Sequence, residues 1–113
     1  MPTAFLITGS PPSAHLRIMG DLDLATRDRL REVIEDLQDT GYERIDLDLA
    51  AVGFIDASNL GVLRQQQRRL LASGGALDVV AASHRHQRVV RLVGYDTLLA
   101  PGPDPRATGA SST

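Results

Sequence analysis

Ala51-Val52-Gly53-Phe54-Ile55-Asp56-Ala57-Ser58-Asn59-Leu60-Gly61-Val62-Leu63 joins a strand-like run, Ile45 to Leu49, to a helix-like run that ends near Gly74. At the junction stand an acid, a small residue and a hydroxyl: Asp56, Ala57 and Ser58. The first turn of a helix carries backbone N–H groups without intrahelical partners, together with the positive end of the helix dipole. Either Asp56 or Ser58 can cap such a start by offering a side-chain oxygen to those amides. A hydroxyl held there is oriented and able to carry a phosphate. Gly61 costs about 1 kcal/mol of helix propensity relative to Ala, and close approach of another backbone or of a partner would account for it.

Outward from this junction, Ile45-Asp46-Leu47-Asp48-Leu49 alternates strictly, and Leu77-Asp78-Val79 repeats the pattern after Ser73-Gly74-Gly75. A helix between two such strands implies a parallel crossover connection. Toward the N-terminus, Ala4 to Thr8 and His15 to Met19 are strand-like runs separated by Gly9-Ser10-Pro11-Pro12. They are expected to form an antiparallel pair, with Gly20 breaking the second strand. The one-sided alternation places helices on one face of the sheet and leaves the other partly wet, carrying His15, Arg17, Asp46, Asp48 and Asp78.

Leu30, Val33, Ile34 and Leu37 form an apolar stripe at helical spacing, with Asp23 or Thr26 as N-cap and Gly41 as terminator. In the second helix Leu60, Leu63, Leu70 and Leu71 are expected inside. A last helix, His84 to about Val93, is capped by Ser83 and buries Val89, Val90, Leu92 and Val93. Leu98-Leu99 should fold back on the core. The expected fold is therefore α/β: a mixed, mainly parallel sheet of four to five strands, an antiparallel pair followed by βαβα, with helices mainly on one face. Residues 1–100 form the domain, and residues 101–113, rich in Pro, Gly and Ser, have nothing to bury and should be a disordered tail.

Composition narrows the function. A chain of 113 residues with 42% hydrophobic and 23% charged residues and a net charge of −2 suits one globular domain and lacks the basic excess of a nucleic-acid binder. No apolar run reaches membrane length and no signal peptide is evident, which fits a cytoplasmic protein. With no cysteine, disulfides, thiol catalysis and thiolate metal sites are closed. All 12 basic residues are Arg, so P-loop and Schiff-base chemistry are closed too. His84 and His86 stand two apart on a helix and do not converge on a metal. Ser58 lacks the Gly-x-Ser-x-Gly elbow of a serine hydrolase. A receiver-type phosphoacceptor at Asp56, with Asp21 and Asp23 holding Mg²⁺, would need a late lysine and an acid pair after the first strand.

Five patches taken together carry a family resemblance. They are Gly20-Asp21-Leu22-Asp23-Leu24-Ala25-Thr26, Leu47-Asp48-Leu49, Phe54 to Leu63, Ser73 to Leu77, and Val89-Val90-Arg91-Leu92-Val93-Gly94. In order and spacing they resemble the STAS domain, most closely its bacterial anti-sigma factor antagonist branch, over about residues 4–100. The resemblance implies a non-enzymatic partner-switching protein with no cofactor and no metal, expected to be monomeric when free. Its partners would be an anti-sigma factor that is also an ATP-using serine kinase, and a phosphatase, with no nucleic acid and no membrane. Ser58 matches the phosphorylated serine, because Asp56 and Leu60-Gly61 fix the register. The implied partner-facing surface comprises Asp21, Asp23, Thr26, Asp56, Ala57, Ser58, Asn59, Leu60 and Gly61. Asn59 departs from the Gly that most often follows the serine, and its side chain is expected to add bulk where a kinase approaches. The competing expectation is a STAS scaffold that docks to a transporter or multiprotein complex without being phosphorylated.

Overall fold

The computed structural model describes residues 2–101. Four strands, β1 (Ala4–Ser10), β2 (Ser13–Leu22), β3 (Arg44–Ile55) and β4 (Ala76–Ala81), form one sheet in the order β1-β2-β3-β4. Helix α1 (Arg27–Asp39) links β2 to β3, α2 (Ala57–Ala72) links β3 to β4, and α3 (His84–Leu92) follows, with a short 3-10 turn at Asp96–Leu98. β1 and β2 are antiparallel, whereas β2–β3 and β3–β4 are parallel. This is the expected α/β arrangement, with four strands rather than five.

The core follows the alternation. Leu16, Ile18, Ile45, Leu47, Leu49, Leu77 and Val79 point to the helix side and are buried with Leu30, Val33, Ile34 and Leu37 of α1. His15, Arg17 and Asp46 on the opposite face are exposed, and Asp48 and Asp78 are half-buried there. The imidazole of His15 lies 3.6 Å from Asp48, across the β2–β3 boundary. The wet face is therefore a ladder of mixed charge.

The strands run further than their alternation suggests. Gly20 does not end β2; at φ 101° it lies within an irregularity that lets the strand reach Leu22. β3 continues six residues past Leu49, to Ile55. Register shifts between Arg17 and Met19 and between Gly20 and Leu22 change its buried positions from every second residue to Leu49, Val52 and Ile55. Such bulges bend a strand and re-aim its side chains. They carry the ends of β2 and β3 together to the start of α2.

Three helix expectations are corrected. Leu71 is 56% exposed, while Gln66 and Gln67 are buried in its stead. Gln67 donates to the carbonyls of Leu77 (3.0 Å) and Thr97 (2.7 Å), and Gln66 donates to Glu35 (3.1 Å), so neither amide is left without a partner. In α3, Leu92 (78%) and Val93 (42%) are exposed, and the buried residues are Val90 and His86. Leu98 is buried as expected, and Leu99 goes further, bridging to Val79 in parallel while the Ala100 N–H donates to the Val79 carbonyl. The expected disorder of residues 101–113 concerns a segment that, apart from Pro101, lies outside the described residues. No helix among the described residues is long and apolar enough to cross a membrane.

Candidate functional site

The start of α2 stands at the C-terminal ends of the parallel strands β2 and β3, the side of an α/β sheet where ligands usually meet the chain. Asp56 is the N-cap, in extended conformation, and its Oδ1 accepts the Ser58 N–H at 2.7 Å. The same oxygen accepts a hydrogen bond from the Ser58 hydroxyl. Asp56, rather than Ser58, thus satisfies the helix start. Ala57 is exposed and Ser58 half-buried. The hydroxyl of this partly accessible residue thus aims its proton at a carboxylate.

Those bonds set the charge of the acid. The Ser58 hydroxyl and then the Ser58 amide hold the Asp56 carboxyl below its ordinary range, against the opposing effect of desolvation and with a lesser contribution from the field of Arg27. Asp56 is an anion throughout the physiological range.

The loop between β2 and α1 is fixed against this start. The Asp23 carboxylate accepts the Thr26 N–H (3.1 Å), and the Thr26 hydroxyl oxygen accepts the Asp23 N–H (2.9 Å). This reciprocal pair resembles a capping box. Both capping expectations for α1 are thereby reconciled: Thr26 occupies the N-cap position, and Asp23 supplies the side-chain oxygen. Asp21 reaches across to β3, where its Oδ1 accepts the Phe54 N–H at 2.9 Å. A Cβ at Gly53 would stand 2.9 Å from that oxygen, so the absence of a side chain lets Asp21 come so close.

Asn59 is the residue that the sequence misjudges. Its side chain is fully buried and donates to the carbonyls of Leu22 (2.9 Å) and Asp23 (3.0 Å). The Leu22 carbonyl also accepts the Asp56 N–H at 2.7 Å. Asn59 is thus an internal strut tying α2 to the β2–α1 loop, and it adds no bulk outside. Its backbone is helical, with no left-handed conformation to accommodate. Leu60 is likewise fully buried, so neither side chain can face a partner. Gly61 is half-buried, and among the described residues a Cβ added there meets no atom within 4 Å beyond its own stretch of helix. Nothing inside the molecule requires a glycine at that position, and the expected backbone approach is absent.

Of the nine residues anticipated for the surface, Asp21, Asp23, Thr26, Asp56, Ala57, Ser58 and Gly61 are thus brought to one end of the sheet and are exposed or half-buried. His84 is exposed and His86 buried, so the two imidazoles lie in different environments, and among the described residues no group of three or more His, Asp or Glu could hold a metal ion. The signal that could have revealed Asn59 is its place in helical phase with the buried Leu63 and Gln66.

Comparison with known proteins gives a consistent picture. The family profile described as Mlab, STAS domain, matches residues 6–100. The anti-sigma factor antagonist SpoIIAA in its unphosphorylated form has a TM-score of 0.76 at 19% identity, covering 95% of this chain and 95% of its own. An anti-sigma factor antagonist from Mycobacterium paratuberculosis has a TM-score of 0.76 at 21% identity, covering 99% and 96% respectively. The phosphorylated form of the Bacillus cell fate determinant SpoIIAA has a TM-score of 0.69 at 20% identity, covering 95% and 98%. The likeness to these structures is one of fold.

Proposed function

Because this chain belongs to the STAS domain family, we propose that it is an anti-sigma factor antagonist that works by partner switching. Unmodified, it binds an anti-sigma factor that is also a serine kinase, and a sigma factor is released. Phosphorylation of Ser58 ends the association, and a phosphatase restores it. The observation that carries this reading is the half-buried Ser58, its hydroxyl held by Asp56 at the start of α2 beside exposed Ala57.

Transfer of the γ-phosphoryl group from ATP to Ser58 Oγ breaks the bond to ADP, which leaves, and replaces the O–H bond by an O–P bond; the proton is released, and the hydrogen bond from Oγ to Asp56 is lost with it. The group adds about −1.5 to −2 charge. In the free chain the dipole of α2 favours that charge. Under a partner, where water is excluded, the phosphate adds bulk beside the Asp56 anion, with Asp21 at the end of β2 and Asp23 on the adjacent loop. A penalty of about 4 kcal/mol weakens binding about a thousandfold, and no change of fold is required.

The scaffold alternative, a STAS module docking constitutively to a transporter or multiprotein complex, draws support from the same hydrogen bond, since a hydroxyl committed to Asp56 also serves a purely structural start of α2. Incubation with an anti-sigma kinase and ATP, followed by intact-mass measurement and peptide mapping, separates the two. Acid-stable phosphate on Ser58, with loss of partner capture by Ser58→Asp in a chain that stays folded, is the expected result. Capture of the partner by Ser58→Asp at wild-type strength, or no phosphate added, would overturn the switch.

A further inference from the structure

Beyond Asp48 the outer border of β3 has no strand beside it among the described residues. β4 pairs with β3 only as far as Asp48 opposite Ala81, while β2 accompanies β3 on the other side to Ile55. The start of α3 comes into this gap. Arg85 Nη2 and His86 Nε2 each lie 3.2 Å from the Gly53 carbonyl oxygen. A carbonyl only accepts, so Nε2 is the donor of this contact. The other ring nitrogen, Nδ1, is buried and has no hydrogen-bond partner among the described residues.

Between β3 and α3 lies an open groove of about 490 Å³, lined by Gly53, Phe54, Ile55, Arg85, His86 and Val89. Phe54 is 55% exposed on its rim, whereas His86 is only 4% exposed. The His86 ring has already given up its water, so covering it with an apolar group removes no further hydration. The surroundings are charged in one sense. α3 carries His84, Arg85, Arg88 and Arg91 and no acid, and among the described residues none of these arginines has a carboxylate within 4.0 Å. On the other side of Phe54-Ile55 stand three acids, Asp21, Asp23 and Asp56, with Arg27 near Asp56.

We propose that this groove takes an apolar side chain of a protein partner whose flanking carboxylates pair with Arg85. The concavity has room for an apolar side chain, the Phe54 ring and Val89 supply apolar walls, and the Arg85 guanidinium beside them, with no carboxylate within 4.0 Å among the described residues, selects an acid. Anionic lipid and nucleic acid fit less well, because both would also meet Asp21, Asp23 and Asp56. The inference rests on the reading above only in taking the partner to be a protein. It adds a second anchor, one strand-end away from Ser58, and assigns the chemistry that anchor recognises.

The test uses the full ¹⁵N-labelled chain and a short blocked peptide with one leucine flanked by glutamates. Parallel titrations use the same peptide with glutamines, and phosphatidylglycerol vesicles. The expected result is saturable shifts of the Gly53, Phe54, Arg85, His86 and Val89 amides by the glutamate peptide. The glutamine peptide should bind about tenfold more weakly, as should the glutamate peptide to Phe54→Ala or Arg85→Gln. Absence of these shifts, equal binding of the two peptides, or shifts produced by the vesicles alone would overturn the proposal. No kinase or phosphate enters this titration, so its failure is distinct from a failure of the Ser58 switch.

Discussion

Replacing Asn59 by Asp changes almost nothing in shape and should cost more stability than removing the side chain altogether. In the native chain Nδ2 donates to two carbonyls, at 2.9 and 3.0 Å, from a site with no solvent exposure. Asn59→Ala forfeits both bonds, at about 1 kcal/mol each. It also removes the buried Oδ1, which has no donor of its own, and gains up to about 0.7 kcal/mol of helix propensity. The net loss should be about 1 kcal/mol. Asn59→Asp forfeits the same two bonds and sets an oxygen against both carbonyls. Burying the introduced carboxylate brings the loss to about 3–5 kcal/mol, a large share of the 5–15 kcal/mol that usually holds a domain together. Because burial raises the folded-state pKa of the introduced acid above its unfolded value of about 3.9, the penalty is full above that raised value. It is relieved as pH falls through it. Urea unfolding followed by far-UV circular dichroism at pH 7 and pH 5, on wild type and both variants, measures this. If the Asp variant lies within about 1 kcal/mol of the Ala variant at pH 7, or recovers nothing on acidification, the strut is misassigned.

Two further outcomes follow from particular side chains. Gly61→Ala adds a methyl into open space, so the free chain should gain about 1 kcal/mol of helix stability while partner capture weakens; unchanged capture in a pull-down would remove Gly61 from the contact surface. On the wet face, desolvation, then the facing Asp46, raises the Asp78 carboxyl above its ordinary range against the pull of Arg44. The ionised form therefore opposes folding at neutral pH and ceases to as pH falls through the raised value. Asp78→Asn should stabilise the chain by about 0.5 kcal/mol at pH 7, given solvent screening, with the gain vanishing on acid titration; a thermal midpoint that falls at neutral pH would contradict it.

How far the fold can be read from the chain depends on how local each cause is. The cores of β2, β3 and β4 are legible because alternation along a strand needs no knowledge of neighbours. Past Leu49 the same pattern fails, because the positions buried at Val52 and Ile55 are set by bulges in the pairing with β2. Capping at Asp56 and Ser83 is legible for a similar reason, as each acceptor lies within three residues of its donor. Gln67 is not legible, since its burial depends on carbonyls at Leu77 and Thr97, and its polarity argues for the surface. Asn59 and His86 fail in the same way: each answers a carbonyl more than thirty positions away. Leu71 and Leu92 fail in reverse, being apolar residues for which the packed layer has no room. At the site, the residue types were legible and the split between outward Ser58 and inward Asn59 was not.

The hydrogen bond from Ala100 to Val79, with Leu99 laid against the same residue, also bears on how the molecule can be handled. These two residues hem part of the margin of β4, which would otherwise offer its free amides and carbonyls to any extended peptide. A shortened version that stops at Leu98 would keep every helix and still lose its selvedge, inviting stray chains to lie down there. Tags and fusions at this end therefore belong after Ala100, where the hem is already sewn.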